Sequence, residues 1–296
     1  METTTLTAVL LPIALGIVML GLGLTLTVAD FRRVVVFPKA VIIGLACQML
    51  ILPVVCFALA KLFDLPAPLA VGLMLLSASP GGATANLFSH LANGDVALNI
   101  TLTAVNSVLS LFTLPLIVNF ALVAFVGEGK AIPLQFDKVA QVFAIVLVPV
   151  GLGMVVRARR EGLAKRLERP VRILSAAVLL LVIAGAVIKE RVHLLEYFQQ
   201  VGLAALSFNV ASMLVGYFVP MLFRLPNKQS IAIGMEIGVH NGTLAIAIAS
   251  SPLLLNSTVM AMPAAIYSLI MFFTAALFGF LVNQRRKTDT ALAPAP

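Results

Sequence analysis

The chain has 296 residues, of which 61% are hydrophobic and only 11% are charged, and its mean hydropathy is +1.09. Soluble domains usually carry about 25% charged residues, so this composition excludes an ordinary soluble enzyme or binding module. The net charge of +8 does not indicate nucleic-acid binding, because the basic residues lie between long apolar runs and act there as orientation signals. Cys47 and Cys56 lie in one apolar run and are expected to be core thiols.

The apolar runs predict an all-α integral membrane protein with nine transmembrane helices. A spanning helix needs about 20 apolar residues, and the runs are joined by short polar segments. We predict a single transporter-sized domain over residues 1–296. The nine predicted spans are residues 5–28, 39–63, 67–92, 95–126, 135–157, 171–188, 198–223, 227–251 and 256–283.

Lysine and arginine separate to the two sides of the membrane once successive loops are assigned to alternate sides. Five of the 20 basic residues lie on one side, and these are Lys61, Lys130, Lys138, Lys189 and Arg191. All others lie on the opposite side, including the cluster between Arg157 and Arg172. The positive-inside rule then predicts a protein of the inner (plasma) membrane with its N-terminus outside and its C-terminus in the cytoplasm. Topology explains the cluster, although it could instead bind anionic lipid.

The second and third predicted spans contain polar residues and a helix break. Gln48 stands alone in the second span. Within residues 77–86 of the third span, Pro80 removes a backbone donor, and Gly81 and Gly82 can adopt conformations forbidden to other residues. We therefore predict that the third span is interrupted at these three residues.

The fourth predicted span carries a polar stripe on an otherwise apolar helix. Its members recur at three- and four-residue spacing and are Asn99, Thr103, Asn106, Ser107 and Ser110. Such a stripe either lines a polar site or holds neighbouring helices together. This span alone leaves both interpretations open.

Glu236 lies inside the apolar run of the eighth predicted span, residues 231–249. A carboxylate at bilayer depth costs about 2.5 to 3.5 kcal/mol, so it persists mainly where it binds or relays a cation. His240 follows one helical turn later, and Asn241 and Gly242 interrupt the run. The alternative is a glutamate whose hydrogen bonds are satisfied by a neighbouring helix.

Spans 2, 3 and 4 correspond in order to spans 7, 8 and 9, because each triplet has a broken span in its middle. About 38 residues separate Lys39 from Ser77 in the first triplet and Phe198 from Glu236 in the second. The odd offset places the triplets in opposite orientations, as in an inverted repeat with its binding site at the membrane midplane. Unwound backbone must be buried in protein, so we expect two crossing discontinuous helices. Ordinary proline-kinked packing is the alternative.

The polar groups of these spans suit a small, hard cation. Hydroxyl and amide oxygens with one carboxylate are typical ligands of an ion such as sodium, and the set lacks the thiolates and multiple imidazoles that favour zinc. No second acid is available to pair with Glu236 in acid–base chemistry, so we expect a transporter rather than an enzyme. An uncoupled channel or a membrane sensor is the alternative of another class.

The chain resembles the bile acid:sodium symporter family, including the bacterial homologues of the apical sodium-dependent bile acid transporter. Four segments carry the resemblance in the same order, and they are residues 16–31, 38–48, 79–86 and 236–241. The resemblance implies sodium symport by alternating access, in which a panel domain moves against a core domain containing the crossed helices. The core would be spans 2–4 and 7–9, residues 39–126 and 198–284, and the panel spans 1, 5 and 6, residues 5–28 and 135–188.

The resemblance also implies one or two sodium ions beside the crossing. The first site would use Asn86, Thr103, Glu236 and the positions of Ala85 and Asn99. The second site would use Gln48, Glu236, His240 and the backbone carbonyls near Ile237 and Val239.

Three of these positions depart from the family pattern. Ala85 stands where a hydroxyl is usual, Asn99 where bacterial relatives have serine, and His240 where the family usually has glutamine. Asn99 can supply an amide oxygen instead. An imidazole nitrogen is a poor sodium ligand and titrates near pH 6.5 when unperturbed, so His240 indicates either a proton-coupled or single-sodium carrier, or a neutral structural histidine.

The implied substrate is an organic anion, such as a bile acid-like, pantoate-like or other carboxylate or sulfonate. Half-helix N-termini carry about half a positive charge, so the anion is predicted to bind backbone donors after each break. The expected contacts are Gly82, Ala83, Thr84, Asn86 and Asn241. Besides this substrate and the lipid bilayer, we expect neither a nucleic acid nor an obligate protein partner.

Overall fold

A computed structural model describes residues 13, 16–17, 19–127, 136–189, 194–251 and 254–292, and these are helical almost throughout. The thirteen α-helices described in these ranges are α1 (19–25), α2 (Val28–Arg32), α3 (Pro38–Ala46), α4 (Leu52–Leu62), α5 (Ala67–Ala78), α6 (Ala83–Leu91), α7 (Val96–Val126), α8 (Phe136–Arg159), α9 (Glu161–Lys189), α10 (Leu194–Leu222), α11 (Asn227–Gly238), α12 (Gly242–Ser250) and α13 (Met262–Leu292). A π-helical turn, Cys47–Ile51, joins α3 to α4, and a 3₁₀ turn, Val259–Ala261, precedes α13.

Four segments among the described residues are long and apolar enough to cross a membrane. They are Pro38–Leu62, Val96–Val126, Leu195–Leu222 and Val259–Gln284. Each agrees within a few residues with a predicted span, which supports the prediction of an all-α membrane protein. The full count of nine spans stays a prediction, and residues 5–12, 14, 15 and 18 of the first predicted span lie outside the described residues.

The predicted loop between spans 5 and 6 is largely helical. Helix α9 begins at Glu161, about ten residues before the predicted start of span 6, and only Arg160 separates it from α8. Lys165 forms an i,i+4 ion pair with Glu161 at 2.7 Å, which supports the helix in this exposed segment. The basic cluster therefore belongs to a helical extension rather than to an irregular loop.

The first break separates α5 from α6. Helix α5 ends at Ala78 because Ser79 is extended and Pro80 cannot continue the helical hydrogen bonding. Helix α6 begins at Ala83, with Gly82 as its N-cap residue. The predicted break at Pro80, Gly81 and Gly82 thus agrees with the structure.

The second break separates α11 from α12 and lies slightly earlier than predicted. Helix α11 ends at Gly238, and the chain leaves helical geometry from Val239 to Asn241. Asn241 is the N-cap of α12 and accepts a 3.0 Å hydrogen bond from the Leu244 N–H. Gly242 was predicted to lie in the break, but it is the first residue of α12, because the asparagine side chain caps the helix one residue earlier.

The two breaks pair with each other through their backbones. Gly81 and His240 face each other in an isolated antiparallel bridge. The Gly82 N–H donates to the Val239 carbonyl at 3.0 Å, and the Asn241 N–H donates to the Pro80 carbonyl at 2.8 Å. The two bonds are reciprocal, since the residue after each bridge position donates and the residue before it accepts. This pairing satisfies backbone groups that the helix breaks would otherwise leave unbonded.

Helices α5 and α11, which precede the two breaks, lie in the interior of the protein. Every residue of α5 from Leu69 to Ala78 is buried, and so is every residue of α11 from Ser230 to Gly238. Helix α7 packs against both α5 and α11, and α10 packs along α11. A polar side chain near either break is therefore removed from water and must find its partners in the protein or in a bound ligand.

Candidate functional site

Glu236 lies in the last turn of α11 and is only 1% exposed. Its Oε2 accepts a 2.6 Å hydrogen bond from the Thr103 hydroxyl on α7. Its Oε1 is buried without a hydrogen-bond partner. A buried carboxylate oxygen that accepts no hydrogen bond is costly unless it binds a ligand. A carboxylate that coordinates a cation has this property.

Gly81 brings the first break against this carboxylate. A Cβ atom built on Gly81 would overlap the Glu236 carboxylate. Glycine is therefore required here for the close approach of the backbone to the acid, rather than for an unusual φ angle.

The polar stripe of α7 divides into two groups. Ser107 and Ser110 donate to carbonyls of their own helix at 2.6 and 3.0 Å, as in ordinary helix packing. Asn99 and Thr103 instead contact α11, where the Asn99 amide donates to the Ala232 carbonyl at 2.7 Å. Asn106 also lies close to the Glu236 carboxylate. Asn106 belongs to the predicted polar stripe but was not among the predicted site residues.

Several amide oxygens near the breaks are buried and lack a hydrogen-bond partner. They belong to Gln48, Asn86, Asn99 and Asn106. Buried amide oxygens are normally hydrogen-bonded, so four without a donor are unusual. Together with Oε1 of Glu236 they are the type of oxygen that coordinates sodium. Among the described residues, no three His, Cys, Asp or Glu side chains come together.

Gln48 and His240 meet at the carbonyl of Ser79. The Gln48 amide donates to the Ser79 carbonyl at 3.0 Å and to the Ser77 carbonyl at 3.1 Å. His240 Nδ1 lies 3.1 Å from the same Ser79 oxygen, so this nitrogen carries a proton and donates. Gln48 itself lies in the π-helical turn, a feature that often occurs at functional sites.

Aromatic rings enclose the imidazole of His240, which is 1% exposed. Phe208 stacks on it with ring centroids 5.7 Å apart, and Tyr267 contacts it edge-on at 5.5 Å. Nε2 is buried without a hydrogen-bond partner. One proton, on Nδ1, is sufficient for the observed bond.

Of the remaining predicted cation positions, Val239 lies in the second break, and Ala85 and Ile237 lie in helices next to the breaks. Ala85 is fully buried and supplies no side-chain oxygen, as expected from its sequence. The Val239 carbonyl already accepts the Gly82 N–H, which leaves it one lone pair. Ile237 is fully buried in the last turn of α11, next to Glu236.

Asn209 and Tyr267 also lie at the end of α11, and neither was among the predicted site residues. Both donate to the Gly238 carbonyl at 2.9 Å and both are fully buried. Asn209 could have been found in the sequence, because it is a lone amide in an apolar run, as Gln48 is. Tyr267 offered no signal, because a tyrosine in an apolar span is ordinary.

A cavity of about 110 Å³ lies beside the two breaks. Its lining residues come from α1, α7, α8 and α12 and from the segments next to them, and they are Met19, Leu22, Leu26, Phe31, Pro80, Ala104, Ser107, Val108, Leu147, Val150, Gly151, Met154, Asn241 and Leu244. The lining is apolar except for Ser107 and Asn241. It therefore offers a mostly hydrophobic chamber with a polar end at the breaks.

The predicted substrate residues relate differently to this cavity. Asn241 lines it, whereas Gly82, Thr84 and Asn86 are not among its described lining residues, and the Ala83 side chain lies outside the described part of the chain. Some backbone donors expected to bind the anion are already bonded. Gly242 donates to the His240 carbonyl, and the Leu244 N–H donates to the Asn241 side chain.

Comparison with known proteins assigns the family. The model of the sodium bile acid symporter family matches residues 12–197, which is more than half of the chain. The chain belongs to the sodium bile acid symporter family. This confirms the resemblance inferred from the four sequence segments. Members of this family are sodium-dependent transporters and not enzymes, and the chain is accordingly a multi-pass membrane protein.

Relatives of this family member come from bacteria, plants and animals. The Bacillus subtilis protein named as an uncharacterized sodium-dependent transporter, YocS, is 29% identical over 86% of the chain and 77% of its own length. The rice probable sodium/metabolite cotransporter BASS1, chloroplastic, is 27% identical over 80% of the chain and 57% of its own length. Mouse sodium/bile acid cotransporter 4 is 30% identical over 79% and 54%. The chain thus spans little more than half the length of the rice and mouse relatives.

Proposed function

We propose that the protein is a secondary active transporter that imports an organic anion together with sodium. The observation that carries this proposal is the buried Glu236 carboxylate, which has an unused oxygen beside Thr103 and Asn106. A monovalent cation there would neutralise the single carboxylate and occupy otherwise unbonded oxygens. The free energy of that contact would offset the cost of burying the charge.

One or two sodium ions fit the donor set. The first would bind Glu236 and Thr103 with the amide oxygens of Asn99 and Asn86, at the position next to Ala85. The second would lie towards Gln48 and the carbonyls of Ile237 and Val239, beside His240. Both assignments extend the family resemblance to this chain. Each includes a buried amide oxygen without a protein donor, which is Asn86 or Asn99 in the first site and Gln48 in the second.

An inverted repeat that works by alternating access is the proposed mechanism. The reciprocal backbone bonds between the two breaks support it, because they relate the first broken helix to the second by equivalent contacts. The proposed core is residues 39–126 and 198–284, and the proposed panel is residues 5–28 and 135–188. Movement of the panel past the breaks would open the site to each side of the membrane in turn.

The substrate would bind between panel and core. The cavity supports this position, because α1 and α8 of the proposed panel and α7 and α12 of the proposed core all line it. A carboxylate or sulfonate would lie at the Asn241 end, near Gly82, Ala83, Thr84 and Asn86, and the apolar part of the molecule would contact the leucine-rich wall. This chemistry suits a bile acid-like, pantoate-like or related organic anion.

Uptake by proteoliposomes tests the function and the role of His240 together. A panel of organic anions is offered under an imposed sodium gradient or an imposed proton gradient. We expect uptake with sodium only, a sodium Hill coefficient near two, and no response to pH between about 5.5 and 8, since His240 donates to Ser79 and needs one proton to do so. His240→Gln should keep this sodium dependence.

Proton or single-sodium coupling would give a different pattern. Lower pH would then weaken sodium activation in the wild type, because a protonated imidazole competes with the cation for the carboxylate. His240→Gln would restore a second, pH-insensitive sodium requirement. Uptake that follows the anion gradient alone would indicate an uncoupled channel and would contradict symport altogether.

Cysteine labelling tests the proposed orientation, with the N-terminus outside. A cysteine at Gln284 should be protected from impermeant reagents added to intact cells, whereas one at Glu128 should react, because the basic residues concentrate on the Gln284 side. The native Cys47 and Cys56 are buried and should give little background. The reverse labelling pattern would contradict the orientation.

A further inference from the structure

The carbonyl of Gly238 receives two side-chain donors from outside its own helix. The Asn209 amide on α10 and the Tyr267 hydroxyl on α13 both donate to it at 2.9 Å. Both residues are fully buried, and so is the end of α11 that they contact. Two donors from two different helices determine the direction of this peptide group far more tightly than one would.

The Ser79 carbonyl at the first break has the same arrangement. There the donors are an amide, Gln48, and a ring nitrogen, His240 Nδ1. Gln48 lies 31 residues before Ser79, and Asn209 lies 29 residues before Gly238, so the two amides precede their breaks by similar distances in the chain. The amide oxygens of Gln48 and Asn209 are also both buried without partners. Asn209 therefore makes the same kind of contact at the second break that Gln48 makes at the first.

The Gly238 peptide lies in the middle of the proposed cation site. It separates Glu236 from His240, and its neighbours Ile237 and Val239 are the residues whose carbonyls would bind the second ion. A rotation of this peptide would redirect those carbonyls and the last turn that carries the carboxylate. Tyr267 also contacts the His240 ring edge-on. The same side chain therefore contacts both the Gly238 carbonyl and the histidine two residues later.

We propose that Asn209 and Tyr267 are positioning residues for sodium binding, which act by holding the Gly238 peptide. The inference rests on the proposed sodium site at Glu236. It goes beyond that site because neither side chain needs to touch the ion. Each donor limits how far the end of α11 can rotate, so removal of one weakens sodium binding and removal of both weakens it much more.

Thermal unfolding of the purified full-length protein in detergent tests this without a known substrate. The unfolding temperature is measured across a titration of sodium chloride at constant ionic strength, with choline chloride as the replacement salt. Tyr267→Phe removes one hydroxyl and keeps the ring against His240. Asn209→Ala removes the amide, and Thr101→Ala is the matched control, because its buried hydroxyl donates to Ala97 within its own helix.

Each single variant should bind sodium about fivefold more weakly, as expected for one hydrogen bond in the right place. The double variant should lose more than the product of the two single effects, roughly 25-fold, because the buried carbonyl is then left without a donor. Thr101→Ala should bind sodium as the wild type does. In choline chloride, the unfolding temperature of Tyr267→Phe should be only slightly lower than that of the wild type. The increase in unfolding temperature caused by sodium should be reduced much more.

The possible outcomes separate the inference from the function on which it rests. No sodium-specific stabilisation of the wild type would contradict the proposed sodium site itself. A wild-type sodium response that is unchanged in Tyr267→Phe and Asn209→Ala would overturn the positioning role and leave these residues purely structural. If the double variant does not fold, the titration of Tyr267→Phe decides.

Discussion

Glu236→Gln is expected to abolish sodium-driven uptake while the protein remains folded. Glutamine has nearly the same size and can still accept the hydrogen bond from Thr103. It removes the negative charge that would offset the cation, and loss of one partner of a buried ion pair costs about 3 to 5 kcal/mol, or more than ~100-fold in affinity. The measurement is initial uptake in proteoliposomes across a sodium titration, with folding monitored by gel filtration.

The control for this variant is Glu196→Gln at the exposed start of α10. Glu196 accepts a hydrogen bond from Gln200 at 3.0 Å, far along the chain from either break, and its replacement should leave uptake unchanged. Thr103→Ala and Asn86→Ala should weaken sodium activation less than Glu236→Gln, since each removes one oxygen among several. Near-normal uptake by Glu236→Gln would refute the cation site.

Gly81→Ala is expected to reduce uptake nearly as severely. The new Cβ would occupy the position of the Glu236 carboxylate, so either the acid must leave Thr103 or the two breaks must separate. Overpacking of this kind costs about 1 to 3 kcal/mol in stability, but the displacement of the Glu236 carboxylate should cost at least ~100-fold in sodium affinity. Uptake and sodium-dependent thermal stabilisation measure the effect.

Two further variants show whether the Gly81→Ala effect is local. Gly202→Ala on α10 is the matched control, because the nearest atom to its Cβ would be a Phe198 ring carbon at an ordinary 3.5 Å. It should transport normally. Adding Glu236→Asp to Gly81→Ala shortens the acid and should recover part of the sodium response. A Gly81→Ala protein with wild-type sodium affinity would show that the close approach has no functional role.

The class of protein and the approximate position of the candidate site were predictable from the sequence. Long apolar runs predict spans because a helix in lipid must satisfy its own backbone groups, and the four membrane-capable helices lie within a few residues of predicted spans. Pro80 predicts its break for a local reason, since it has no N–H to donate. Glu236 stood out because a buried acid is costly without a partner.

The particular contacts of the site depended on the tertiary structure. The bond between Thr103 and Glu236 joins residues 133 apart, and the one between His240 and Ser79 joins residues 161 apart. No local pattern distinguishes Thr103, which faces α11, from Ser107, which bonds within its own helix.

The spans, the breaks and the importance of the lone acid are therefore predictable from the sequence alone, because each follows from the cost of placing a group in an apolar environment. The pairing of the polar groups with one another depends on how the helices pack. Gly81 fits against Glu236, and Asn209 and Tyr267 converge on Gly238, because helices distant in sequence pack at one crossing. Hydrogen bonds depend on distance and direction, and those are properties of the packed helices rather than of any single segment.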